Sequence, residues 1–132
     1  MNQWTQDRAI MLCRILETVV IPFGCHVALT GGLLYKDGPR KDCDIIIYRK
    51  GEASSDPDRP SFEEQVDRDA LIRAVAATGF KIEGVFTRVA KLTCIDDNSL
   101  LDLIFPECGG AYTPVGSESN EFDEFAELNP EA

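Results

Sequence analysis

At 132 residues and 44% apolar composition, the chain has the size of one domain with a hydrophobic core. A net charge of −10 and a pI near 4.4 exclude broad, sequence-independent binding to DNA or RNA, which needs basic surface. No apolar stretch reaches the ~18–20 residues of a membrane span, and the N-terminus lacks the basic-then-apolar layout of a signal peptide, so no membrane partner is expected.

The charge is uneven. From Pro114 onward the acids are Glu118, Glu121, Asp123, Glu124, Glu127 and Glu131, with no Lys or Arg. Residues 1–113 hold the other 17 of 23 acids and all 13 basic residues, and so carry only −4. The expected division is therefore a domain over 1–113 and an acidic C-terminal tail over 114–132. Five cysteines without a CxxC pair read as reduced thiols, which predicts a cytoplasmic protein and argues against a zinc site. His26 is the single histidine and reads as a surface or strand-edge residue.

Residues 5–21 read as an amphipathic helix. Met11, Ile15 and Val19 recur every four positions, and Leu12, Leu16 and Val20 widen the stripe. Thr5 is the expected N-cap, and Pro22 and Gly24 end the helix. His26 to Thr30 predict a buried strand, and Gly31 to Tyr35 a helical turn. Asp37-Gly38-Pro39 signals a turn, and Asp42 to Tyr48, with three consecutive isoleucines, a second strand. Residues 50–60 read as a polar loop. Ser61 and Glu64 form a capping box for a helix with apolar face Val66, Ala70, Leu71, Ala74 and Val75, stopped at Gly79. Two further strands are expected, about 82–95 and 99–105, joined by the turn Asp96-Asp97-Asn98. The tail from about Gly116 carries too few apolar residues to demand a core, so a disordered or weakly docked arm is expected. The order α-β-(turn)-β-α-β-β predicts an α+β domain: a small mixed β-sheet with helices packed on one face.

The chemistry concentrates between the first two strands. Asp42 and Asp44 alternate with Cys43, so on a strand both carboxylates share a face while Cys43 points to the core as a small apolar side chain. Paired carboxylates repel unless a cation lies between them, and oxygen ligands suit magnesium or manganese. Gly31 and Gly32, ten residues upstream, allow backbone N–H groups close to a phosphate. Asp102, inside the apolar run Leu100–Phe105, is the candidate third acid, to bind metal or take up a proton. Asp96, Asp97 and Glu107 read as turn and strand-end residues. Basic residues cluster near the motif as Lys36, Arg40, Lys41, Arg49 and Lys50; Arg40 and Lys41 are candidate phosphate contacts or solvated loop charges.

Thr30-Gly31-Gly32, Asp42-Cys43-Asp44 and the strand-borne Asp102 together resemble the nucleotidyltransferase superfamily, with its DNA polymerase β-like fold. The run from Gly31 to Asp42 is also similar to small nucleotidyltransferase-like proteins of phage and bacterial genomes. The likeness covers roughly residues 8–107. It implies a minimal catalytic domain that transfers a nucleoside monophosphate from a nucleoside triphosphate to an acceptor: a small molecule, a protein or a nucleic-acid end. Asp42, Asp44 and Asp102 would hold Mg2+ or Mn2+, and Thr30, Gly31, Gly32, Arg40 and Lys41 would form the nucleotide-binding set. Leu33 and Lys41 stand where many members carry Ser, and an acidic tail is expected in place of the C-terminal helical domain of larger members. The alternative is a non-catalytic binding protein on the same fold, an antitoxin-like or phage-encoded modulator whose acidic tail contacts a protein partner.

Overall fold

The computed structural model describes residues 4–50 and 58–109. The acidic tail over 114–132 and most of the loop expected over 50–60 lie outside the described residues. The order is α1 (Gln6–Val20), a 3-10 turn (Ile21–Phe23), β1 (Cys25–Thr30), α2 (Gly32–Tyr35), β2 (Asp42–Arg49), α3 (Phe62–Gln65), α4 (Arg68–Ala76), β3 (Phe80–Val85), β4 (Val89–Cys94) and β5 (Leu100–Ile104). Five strands form one mixed sheet in the order β1-β2-β5-β4-β3. β2 and β5 run parallel, and the other neighbours are antiparallel. The α+β class with a mixed sheet is therefore present. Among the described residues, no helix is long and apolar enough to cross a membrane.

Strand alternation separates two faces. Cys43, Ile45 and Ile47 of β2, Leu101 and Leu103 of β5, and Ala90 and Leu92 of β4 are buried. They form one core with the buried residues of α1 and α4. Cys43 is fully buried, and burial pushes its thiol far up, as it pushes Cys25 and Cys108 up to about 11. These thiols stay protonated and act as apolar side chains.

Three expectations need correction. In α1, Thr5 caps as predicted, its side chain accepting from the Arg8 N–H at 3.2 Å. The buried line, however, is Ala9, Leu12, Leu16 and Val20, while Met11 and Ile15 are 60% and 48% exposed. The sequence carries two adjacent apolar stripes ~100° apart, and packing on the sheet selects the one that Ala9 lets approach closely. The helix predicted after Ser61 keeps its capping box but breaks after one turn. Val66 is extended and buried, and Asp67 caps a new helix by accepting from the Ala70 N–H. Burial of Val66 in the same core as Phe62 outweighs helix continuity, and Asp67 satisfies the new terminus. The strand predicted over 82–95 is two strands, β3 and β4, joined at Phe86-Thr87-Arg88 and closed by Phe86 N–H to Val89 C=O. No Gly, Pro, Asn or Asp marks that turn, so its chemistry is invisible in the sequence. The turn at Asp96–Asn98 is as expected, with Asn98 at φ 63°.

The N-terminal segment fixes the loop before β2. Trp4 is buried and forms a two-way backbone bridge with Arg40, at 2.6 and 2.9 Å. Its indole N–H donates to the Leu100 carbonyl at 2.8 Å. The Gln6 N–H donates to Asp37 at 2.8 Å, and its side-chain amide donates to the Leu33 carbonyl at 2.8 Å. Arg8 lies over the Trp4 ring and pairs with Asp97 at 3.0 Å. Ser99 and Arg8 together hold the Asp97 carboxyl well below the usual range.

Candidate acidic site on the open sheet face

Sheet register builds the site. Thr30 of β1 pairs with Asp44 of β2, Asp44 with Asp102 of β5, and Asp102 with Lys91 of β4. These four residues form one row across the face away from the core. Asp42 lies one pleat further along the same face, opposite Leu100. The parallel pairing of β2 with β5 is the decisive step, since it sets two acids 58 residues apart in sequence side by side. One oxygen from each of Asp42, Asp44 and Asp102 lies within 4.8 Å of the others.

This cluster is electrostatically strained. Asp44 is pushed up to about 6, first by loss of water and then by the neighbouring charges of Asp102 and Asp42. Asp102 is also raised, again by desolvation, with Lys91 opposing the rise. Lys91 Nζ lies 3.3 and 3.5 Å from the two Asp102 oxygens. Three carboxylates and one ammonium leave excess negative charge in partly desolvated surroundings. A hard divalent cation suits that all-oxygen donor set. Asp42, Asp44 and Asp102 are thus the residues that would hold such an ion.

The glycines belong to the same place. Gly31 follows Thr30 with φ 77°, a conformation that side chains resist, and a Cβ there would strike the Asp44 carboxylate. A Cβ on Gly32 would strike the Arg40 guanidinium. Gly31 therefore lies against the acid cluster, and Arg40 folds back over Gly32. Lys41 is exposed at the entry to β2, where its carbonyl accepts from the Leu100 N–H at 3.2 Å.

The basic cluster read from sequence is divided by the strand. Arg49 lies at the far end of β2, five residues beyond Asp44, or about 17 Å at 3.3 Å per residue. There it donates to Glu107 at 2.6 and 2.7 Å, to the Pro60 carbonyl at 2.5 Å and to Gln65 at 2.8 Å. Arg49 and Glu107 tie strand ends and α3 together, and Lys50 lies beyond them, so neither Arg49 nor Lys50 belongs to the site. His26 is on the edge strand as expected, 2.5 Å from Glu17 and beside Tyr48. Lys91 is the site residue that sequence reasoning missed. Its sole signal is a lysine inside the apolar run Val89–Leu92, and only the β4–β5 register shows its partner.

In comparisons with known proteins, no family model matches the chain, and no curated protein matches it.

Proposed function

We propose that the chain is a minimal metal-dependent nucleotidyltransferase, with Asp42, Asp44 and Asp102 as its metal-binding acids. The observation that carries this reading is the register of Asp44 against Asp102, with Gly31 against the same carboxylate. The nucleotidyltransferase-like motifs identified in the sequence thus converge on one face. The raised carboxyl groups of Asp44 and Asp102 support this reading, since a bound cation would relieve the charge that raises them.

Bound Mg2+ or Mn2+ would supply charge neutralisation of a triphosphate and polarise its α-phosphorus. Gly31 and Gly32 would let backbone N–H groups approach the phosphates, with Thr30, Arg40 and Lys41 as further polar contacts. An acceptor hydroxyl oxygen would attack the α-phosphorus in line and form the new P–O bond. The bond to the β-phosphate oxygen would break, and pyrophosphate would leave. Asp102 would take up the hydroxyl proton.

Thermal shift with each of the four ribonucleoside triphosphates and magnesium tests this. The expected result is stabilisation that requires magnesium and disappears in Asp42→Asn/Asp44→Asn. A cooperative melt unchanged by every triphosphate would remove the proposal's main support.

A further inference from the structure

The row of four paired residues ends on a cation. Lys91 contacts both oxygens of Asp102, at 3.3 and 3.5 Å, from the side opposite Asp44. It thereby sets a positive charge against the same carboxylate that a metal ion would share. The two partners differ in exposure: the Asp102 side chain is 19% accessible and that of Lys91 is 40%. The carboxylate belongs to the strand row, whereas the lysine reaches it from β4 on a flexible four-carbon stem. An ammonium can leave such a contact by rotation alone, and no other part of the fold need move.

We propose that Lys91 is a resident cation on Asp102, which a divalent ion must displace and which then serves as a ligand for substrate phosphate. This rests on the reading of the three acids as a metal site and adds how that site is regulated. A metal ion alone meets a competing positive charge and binds weakly. Metal and a triphosphate together bind well, because the phosphate accepts the released ammonium. The site thus favours the metal–nucleotide complex over free metal ion, through coupling between two ligands. The coupling residue is the lysine and needs no conformational change of the sheet.

The test uses Mn2+ alone and Mn2+ with inorganic tripolyphosphate, read as half-saturation in thermal shift and confirmed by titration calorimetry. Lys91→Met keeps the length of the side chain and removes the charge. It is expected to tighten Mn2+ alone by about tenfold, the scale of repulsion between a divalent ion and an ammonium at a partly exposed site. It is expected to weaken the further gain from tripolyphosphate by a similar factor. Lys91→Arg should retain the wild-type pattern in direction. In an Asp102→Asn background, Lys91→Met should lose its effect on Mn2+.

A lysine with a purely structural role would lower the melting temperature without moving the Mn2+ half-saturation. Wild type that binds Mn2+ with a half-saturation unchanged in Lys91→Met overturns the inference and leaves the metal site standing. Absence of Mn2+ binding in both proteins overturns the metal site and this inference together. Binding that appears only in Lys91→Met supports the inference in its strongest form.

Discussion

Asp44→Asn, which replaces a carboxylate by a neutral amide of the same shape, should make the metal-free protein more stable at neutral and alkaline pH. The Asp44 carboxyl is raised from 3.8 to about 6, chiefly by desolvation, then by the charges of Asp102 and Asp42. A carboxyl with a higher pKa in the folded state binds its proton more tightly there than in the unfolded chain. Stability therefore falls as pH rises through about 4 to 6, and the deficit is complete above that window. The full shift corresponds to about 3 kcal/mol. Asp44 lies on the open face of the sheet and is only partly covered, so solvent screening reduces this to about 1–2 kcal/mol. For a chain of this size that is a rise in Tm of about 4–7 °C at pH 8. At pH 5 the unfolded carboxyl is already mostly ionised while folded Asp44 is mostly protonated, so about half of the difference should remain, and it should vanish near pH 3. Calorimetry or circular dichroism melts in chelator from pH 3 to 8 measure this directly. A variant less stable than wild type at pH 8, or a difference that does not change with pH, would refute the electrostatic account of the cluster.

Three other perturbations separate scaffold from site. Gly31→Ala combines an unfavourable positive φ with a collision against Asp44, so it should cost about 1–3 kcal/mol and abolish magnesium-dependent nucleotide stabilisation. Urea melts and the thermal-shift assay read the two effects separately. Trp4→Ala removes a buried ring and the indole contact to Leu100, with an expected loss of about 3–5 kcal/mol in urea unfolding; a loss under 1 kcal/mol would mean that the N-terminal segment does not anchor the loop before β2. Removal of residues 114–132 should leave metal and nucleotide binding intact. Loss of a captured protein partner on the same truncation would instead favour the binding-protein reading.

What the sequence revealed follows from the range of the interactions involved. The capping box at Ser61, the Thr5 cap, the turn at Asp96–Asn98 and the stop at Gly79 are local, and each appears as expected, whereas Asp37-Gly38-Pro39 forms no regular turn. The Asp42/Asp44 pair was legible because alternation on one strand places both on one face, and the burial of Cys43 between them follows from the same rule. The features that escaped are tertiary choices. Two apolar stripes compete on α1, and the sheet decides between Leu12 and Met11. The Phe86–Arg88 turn has no turn residues, and the break at Val66 depends on core packing. Lys91 reads as a solvated lysine until β4 is set beside β5, when it becomes the fourth member of the acid row. Trp4, near the N-terminus, gave no periodic signal, yet it holds the loop that carries Arg40.

The most direct test of the central proposal is a crystal structure with Mn2+ and a non-hydrolysable nucleoside triphosphate, using manganese anomalous scattering to locate the ion. The proposal predicts an anomalous peak at coordinating distance, about 2.2 Å, from oxygens of Asp44 and Asp102, with the triphosphate running past Gly31 and Gly32. Manganese bound elsewhere, or a triphosphate that avoids the acidic face, would contradict it.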